Sequence, residues 1–223
     1  MESEPSISLE VAGEVKIGKA IRRSGACPGD QLFVSGRLGL SALGLRWIQK
    51  KAGAARGGKG KLWPASATEK MRDPIRAHLY PEPRFELGRF LGENNLASSL
   101  IDVSDGLSTD LTRLCKASNV GARIWAERIP VPEIPAGGKP DSLRAMDLAL
   151  NGGEDYELLF SVSRRKAIQI PGQFNKVPLH PIGEICRSKE VLLILADGKQ
   201  SSLNPAGYDH FMKGNSISRG HHR

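Results

Sequence analysis

Two carboxylates and a hydroxyl lie close together in the segment 101–107, which reads Ile-Asp-Val-Ser-Asp-Gly-Leu. Asp102 and Asp105 are hard oxygen donors, the kind that Mg²⁺ accepts together with water and phosphate oxygens. Ser104 adds a hydroxyl group, and Gly106 lets a ligand approach the backbone closely. The same residues are equally typical of an Asx turn that begins a helix. The spacing therefore indicates either a magnesium site or a capped turn.

A second chemical segment, 151–158, reads Asn-Gly-Gly-Glu-Asp-Tyr-Glu-Leu. Paired glycines beside clustered acids such as Glu154 can line a site for a cationic ring, for example a thiazolium or a pyrimidinium. Opposite charges attract more strongly in a partly dry pocket than in water. Acids at the start of a strand are also commonly solvated, so both interpretations stay open. Similarly, Arg23 after Arg22 can grip a phosphate through its fork of donors or form part of an ordinary basic surface.

A glycine-rich stretch at 53–59 matches the first part of a phosphate-binding P-loop. Gly60 stands where that motif requires Ser or Thr, and the stretch follows a predicted helix, whereas a P-loop follows a strand. We therefore interpret 52–67 as an exposed Gly- and Lys-rich loop.

The composition bounds the class of protein. The chain has 223 residues, 39% of them hydrophobic, and a net charge of +8, which is a globular profile. Its three cysteines are scattered, which favours reduced thiols in the cytoplasm and argues against a zinc site. Apolar runs are too short to span a membrane, and the acidic start is unlike a secretory signal. The basic clusters 50–76 and 213–223 lack interleaved aromatics, so we expect no nucleic-acid partner and instead a solvated surface or a smaller anionic ligand.

The periodicity of apolar residues predicts a mixture of strands and helices without strict alternation, which is typical of the α+β class. Strands are predicted over 7–13, 31–35, 97–103, 122–126, 156–162, 179–185 and 191–195, and helices over 38–49, 85–93, 109–118 and 143–150. Ser108 is predicted to cap the third helix, and Asp197-Gly198 to form a hairpin turn.

Six segments together resemble one family. They are RRSGACPGDQLFVSGRLG, LYPEPRFELGRFL, IDVSDGL, NGGEDYELLF, PIGEI and GYDHF. They follow one another as in thiamine-monophosphate kinases, which belong to the superfamily of aminoimidazole ribonucleotide synthase and selenophosphate synthetase. The resemblance runs from Ile7 to Phe211. The combination of IDVSDGL with GGEDYEL is specific to these kinases.

The resemblance implies a reaction and a site. Such kinases transfer the γ-phosphoryl group of ATP directly to thiamine monophosphate with Mg²⁺, giving thiamine diphosphate without a covalent nucleophile on the protein. It implies three pairs of site residues: Asp102 and Asp105 for Mg²⁺, Arg23 and Ser104 for ATP, and Glu154 and Tyr208 for thiamine monophosphate.

The resemblance also implies an architecture. It predicts a three-layer α/β/α sandwich around a mixed sheet over 23–212, preceded at 1–22 by the last strand and linker of an N-terminal ATP-binding domain, with a disordered basic tail at 213–223. In the family that N-terminal domain carries further aspartates and most of the homodimer interface. We therefore expect this chain to be N-terminally truncated and inactive alone. Half of a split enzyme and a non-catalytic binding domain are the alternatives.

Overall fold

The computed structural model describes residues 9–10, 12–54, 69–134 and 142–205. Among these, eight strands, six α-helices and one short 3-10 helix, Ala126–Arg128, alternate irregularly along the chain. The strands are β1 Gln31–Ser35, β2 Ala97–Val103, β3 Gly121–Trp125, β4 Glu157–Val162, β5 Gln173–Phe174, β6 Val177–Cys186, β7 Val191–Ile194 and β8 Gln200–Ser202. The helices are α1 Leu40–Ala54, α2 Glu69–Leu79, α3 Phe85–Glu93, α4 Leu107–Ser118, α5 Ser142–Asn151 and α6 Arg164–Ala167.

The strands form a mixed sheet in the order β2-β4-β1-β6-β3-β7-β8. Strand β3 pairs in parallel with β7, and the other neighbours along this order are antiparallel. The short β5 forms a hairpin with the start of β6. Because β2 and β4 are neighbours, the loop that follows β2 lies beside the loop that precedes β4.

Helices cover both faces of the sheet. Alternate side chains of a strand point to opposite faces, and β1 follows this rule. Leu32 and Val34 join a core cluster with α4 and α5, while Phe33 joins a second cluster with α3. Phe33 and Phe160 stack with their ring centroids 5.5 Å apart in this second cluster. The predicted α+β class and three-layer arrangement are therefore confirmed.

A further apolar cluster joins α1, α2 and α5 through Leu43, Met71, Ile75 and Leu148. Helix α2 was not predicted, because its sequence is mostly polar and carries Pro74 in its interior. Proline lacks the backbone N–H that a helix interior needs, so it normally argues against a helix. Here the burial of Met71, Pro74 and Ile75 offsets that loss.

Most predicted elements are observed with ends shifted by a few residues, and 31–35, 85–93 and 97–103 match throughout. The hairpin turn at Asp197-Gly198 is confirmed by the antiparallel pairing of β7 with β8. The predicted cap at Ser108 is wrong. The helix begins at Leu107 after Gly106, which has a φ of 105°, and Ser108 is buried and donates a hydrogen bond to Asn151 Oδ1 at 2.9 Å.

Some predictions fall partly or wholly outside the described residues. Of the predicted strand 7–13, the described positions carry no strand. Residues 52–54 of the predicted loop 52–67 are the end of α1, and the rest of that loop, like the tail 213–223, lies outside the described residues. The domain boundaries stay predictions. Within the described residues, no helix is both long enough and apolar enough to cross a membrane.

The close packing of α1 on α2 generates a prediction. A Cβ at Gly44 would collide with the backbone carbonyl of Pro74. Gly44→Ala should therefore lower the free energy of unfolding by about 1–3 kcal/mol, although alanine is by itself the better helix former. Urea unfolding measures this change. Gly172→Ala is the control, because a Cβ there meets nothing within 4 Å. Unchanged stability of Gly44→Ala would contradict the close packing.

Candidate functional site

The two segments that the sequence singles out meet in the structure. Glu154 N donates a hydrogen bond to Ser104 O at 2.7 Å, and Tyr156 N donates one to Val103 O at 2.9 Å. These bonds extend the pairing of β2 with β4 into the loops at its end. Gly153 is needed at this junction, since a Cβ there would lie 2.6 Å from Ser104 O. The loops are therefore held edge to edge by backbone bonds.

The loop after β2 is fixed from within by Asp110. Its carboxylate, 1% exposed, accepts hydrogen bonds from Ser104 N at 3.0 Å and Asp105 N at 2.9 Å. Arg113 donates from Nη1 to Asp110 Oδ1 at 2.9 Å and also to the Asp105 carboxylate. Burial raises the pKa of Asp110, and these hydrogen bonds partly offset that effect. Asp110 thus sets the loop's shape, and Arg113 restrains Asp105.

A cavity of about 520 Å³ opens over the junction. Its lining includes Ser104, Asp105, Gly153, Glu154 and Tyr156. The structure therefore brings together three of the predicted site residues, Ser104, Asp105 and Glu154. Asp102, on the exposed side of β2, lines a neighbouring and more apolar groove that Tyr156 also borders.

The loop before β4 has an unusual backbone. Glu154 and Tyr156 have φ values of 64° and 52°, in the left-handed region that bulky side chains seldom adopt. Such residues cost about 1–3 kcal/mol each and cluster at functional sites. Between them, Asp155 accepts hydrogen bonds from Gly39 N at 2.6 Å and Ser41 N at 3.1 Å, where α1 begins.

Two effects oppose each other at Asp155. The start of a helix favours an anion, because free N–H groups and the helix dipole point at it. Burial disfavours the anion and dominates, so the pKa of Asp155 is raised to about 7, with the hydrogen bonds from α1 and the nearby charge of Glu157 as the smaller influences.

His78 on α2 contacts both the loop before β4 and the start of α1. Its Nδ1 lies 3.2 Å from Glu154 Oε2 and 3.0 Å from Ser41 Oγ. Ser41 is also one of the residues whose backbone holds Asp155. The sequence did not single out His78, because the helix that carries it was not predicted. Its position just before the Tyr-Pro-Glu-Pro segment is the one feature of the sequence that could have pointed to it.

A partly buried ion pair connects the same region to α3. Arg84 donates from Nε to Glu157 Oε2 at 2.8 Å and from Nη2 to Glu157 Oε1 at 2.6 Å. Ser35 Oγ donates to the same carboxylate, and the hydrogen bond to Glu157 raises the pKa of Arg84. Sequence reasoning did not assign this pair. Its two-point geometry anchors the beginning of β4 to the segment before α3.

Arg23, another predicted site residue, is not among the described residues that line the cavity. The exposed Arg23 accepts a hydrogen bond on its carbonyl from Ser118 Oγ at 2.9 Å, at the far end of α4 from Asp105. A helix of that length spans roughly 18 Å. Tyr208 lies outside the described residues.

The donor set limits which metal site is chemically reasonable. The described part of the chain has no cluster of three or more acidic, histidine or cysteine side chains arranged for a metal. Asp102 and Asp105 offer two carboxylates near one turn. This donor set does not suit an all-protein cage, but it fits a Mg²⁺ ion that takes its other ligands from phosphate and water.

Residues 27–195 match the family described as AIR synthase related protein, C-terminal domain. The thiamine-monophosphate kinase of Escherichia coli K12 is 38% identical over 209 residues, which are 92% of this chain and 60% of that enzyme.

Solved structures of thiamine-monophosphate kinases have a similar fold. The thiamine-monophosphate kinase of Stenotrophomonas maltophilia K279a superposes with a TM-score of 0.67 at 34% identity, covering 84% of this chain and 56% of the other. AaThiL complexed with AMPPCP and TMP superposes with a TM-score of 0.64 at 27% identity, covering 86% of this chain and 54% of the other.

The resemblance predicted from the six sequence segments is confirmed by these similarities. The chain spans about 60% of the length of the curated kinases that it matches. The family match extends over most of the chain and includes both loops of the candidate site. This chain therefore belongs to the AIR synthase-related protein family, whose C-terminal domain it contains.

Proposed function

We propose that this chain provides the substrate-binding side of a thiamine-monophosphate kinase, which transfers the γ-phosphoryl group of ATP to thiamine monophosphate and yields thiamine diphosphate. The observation that carries the proposal is the junction that brings Ser104 and Asp105 against Glu154 at one cavity. Similarity to thiamine-monophosphate kinases over 92% of the chain supports it.

The cavity suits a small cationic ligand. Its volume of about 520 Å³ lies within the range of small-molecule sites. Glu154 and Asp105 give it two carboxylates, which attract a thiazolium ring. His78, 3.2 Å from Glu154 Oε2, limits the positions that this carboxylate takes. In the proposed complex, Glu154 therefore orients the ring end of thiamine monophosphate.

Asp102 and Asp105 would hold Mg²⁺ together with phosphate oxygens and water. When bound, Mg²⁺ neutralises crowded phosphate charge during phosphoryl transfer. Arg113 keeps the Asp105 carboxylate in place at the start of α4. No side chain acts as a covalent nucleophile in this proposal, because the phosphoryl group passes directly to the substrate phosphate.

The other assignments are also proposals. Ser104 and Arg23 contact ATP, and Tyr208 packs on the substrate. Because the chain spans about 60% of its curated relatives, we propose that turnover needs the remaining part of such an enzyme. We further propose that the complete kinase is a cytoplasmic homodimer.

The main test is thiamine diphosphate formation from ATP, Mg²⁺ and thiamine monophosphate. The chain is assayed alone and after mixing with the segment of the Escherichia coli kinase that lies outside the match. Product is expected in the mixture, and Asp105→Asn should lower its rate at least ~100-fold, as loss of a charge-stabilising group does. Asp197→Asn, a carboxylate in the β7–β8 turn, is the control.

The outcomes separate the hypotheses. A full rate from the chain alone would show that the proposed dependence on a second segment is wrong. Absence of product in the mixture, although thiamine monophosphate binds, would favour a non-catalytic binding domain.

Binding by Glu154 is tested separately. Glu154→Gln keeps the side-chain shape near His78 but removes the charge that attracts a thiazolium. The affinity for thiamine monophosphate should fall about 10-fold, equal to about 1.4 kcal/mol, while that for ATP stays the same. Calorimetric titration measures both. Glu133→Gln, at a highly exposed carboxylate, should change neither, and an unaltered affinity of Glu154→Gln would remove Glu154 from the site.

The raised pKa of Asp155 predicts a pH dependence of stability. The folded-state pKa of about 7 exceeds the unfolded value of about 3.9, so the folded protein binds the proton more tightly. The stability gained in this way is full below about pH 4 and is lost as the pH rises through 7, by at most about 1.4 kcal/mol per pH unit.

Asp155→Asn cannot titrate and isolates this effect. Relative to the variant, the wild-type chain should become steadily less stable from pH 5 to pH 7 and then level off, as measured by urea unfolding. Asp197→Asn should run parallel to wild type over this range, because the pKa of Asp197 is lowered by its bonds to Lys199. If the stability of Asp155→Asn and of the wild-type chain changed with pH in parallel, the hydrogen bonds from the start of α1 would cancel the effect of burial on the pKa of Asp155.

A further inference from the structure

Tyr156 combines a strained backbone with an exposed ring. Its φ is 52°, and its exposure is 39%. A bulky residue in the left-handed region is a genuine outlier, and deep burial of the side chain would be the usual compensation. The Tyr156 ring is not deeply buried, so packing alone does not account for the strained conformation.

The two strained residues, Glu154 and Tyr156, lie on either side of Asp155. Glu154 and Tyr156 both have left-handed φ values, and Asp155 between them turns its carboxylate inward to the start of α1. The side chain of Glu154 remains 57% exposed. Both Glu154 and Tyr156 line the cavity of about 520 Å³. With Asp155 held against α1, the carboxylate of Glu154 and the ring of Tyr156 therefore lie at the same cavity.

Tyr156 also borders the neighbouring groove that contains Asp102. The residue thus stands between two cavities: one contains Glu154 and Asp105, and the other contains Asp102. A cation placed between a carboxylate and an aromatic face is attracted by both. A planar cationic ring would bury the exposed tyrosine surface at the same time.

We infer that Tyr156 is the aromatic wall of the ligand cavity and selects a planar cationic ring over a neutral ring of the same shape. This inference rests on the proposed function and adds a specificity residue to it. In this arrangement Glu154 supplies the charge, the Tyr156 ring supplies the flat surface, and Asp155 fixes the spacing between them.

The competing explanation is purely structural. The left-handed conformations would then serve to bring Asp155 to α1, and the Tyr156 ring would contact no ligand. The two explanations differ in what they predict for the ring. If the ring is a wall of the cavity, Tyr156→Phe keeps this wall and Tyr156→Leu removes it. A purely structural role predicts instead that both variants bind the ligand equally well.

The experiment is calorimetric titration of the full chain with two ligands. One is thiamine monophosphate, and the other is its analogue in which carbon replaces the thiazolium nitrogen, leaving a neutral ring. Wild type and Tyr156→Phe should prefer the cationic ligand. Tyr156→Leu should bind the cationic ligand about 10-fold or more weakly and the neutral one with a smaller loss. Tyr80→Leu, the same change in a residue that lines a separate cavity, is the matched control.

A second variant shows whether a loss of binding in Tyr156→Leu comes from misfolding of the variant. Asparagine tolerates the left-handed region better than most residues, so Tyr156→Asn removes the ring while easing the backbone. If Tyr156→Asn also loses the preference for the cationic ligand over the neutral one, the result supports the role of the Tyr156 ring as a wall of the cavity. Wild-type affinity for thiamine monophosphate in both the Leu and Asn variants overturns the inference and leaves the proposed function standing. Failure of the wild-type chain to bind either ligand overturns the proposed function and this inference with it.

Discussion

The carboxylate of Asp155 accepts hydrogen bonds from the backbone of Gly39 and Ser41 at the point where α1 begins. Much of the candidate site depends on this contact. Asp155 turns inward, while its neighbours Glu154 and Tyr156 have left-handed φ values and more exposed side chains. Ser41 then reaches His78 through its hydroxyl group, and His78 reaches Glu154. The contacts form a closed ring through α1, α2 and the loop before β4, so a displacement of any one element disturbs Glu154.

A second acid plays the matching part in the opposite loop. Asp110, in the first turn of α4, is buried and holds the backbone of Ser104 and Asp105. Removing a partner from a buried charge costs more than the bond itself, because the charge is left unpaired in a dry environment. Two acids thus act as internal supports, one for each loop. Of the acids proposed to bind ligands, Asp102 and Glu154 are exposed, whereas Asp105 is partly buried, as Asp155 is.

The sequence predicted the elements whose local pattern agrees with their environment, such as β1, β2 and α3. The two segments that it singled out, 101–107 and 151–158, meet in the structure and line one cavity. The sequence could not predict α2, since the burial that offsets Pro74 comes from α1 and α5. It assigned the cap to Ser108 because serine commonly caps helices, whereas Gly106 with its positive φ begins this helix. Nor could the acids Glu154, Asp155 and Glu157 reveal which of them turn inward, because the Gly39 N–H that holds Asp155 and the Ser35 hydroxyl that contacts Glu157 lie more than a hundred residues earlier.

The charges at the site also constrain how a substrate could lie in it. Thiamine monophosphate is cationic at its ring and anionic at its phosphate. In the proposed complex, Glu154 and Asp105 attract the ring and repel the phosphate, and both effects strengthen as water is excluded. The phosphate could approach Asp102 and Asp105 favourably if a divalent cation lay between them, which is the arrangement that Mg²⁺ with few protein ligands adopts. Tyr156 borders both the groove with Asp102 and the cavity with Glu154. In the proposed complex, the Tyr156 ring therefore lies between the cationic end and the phosphate end of the substrate. This one strained residue then contributes both to the affinity for the substrate and to the orientation in which the substrate binds.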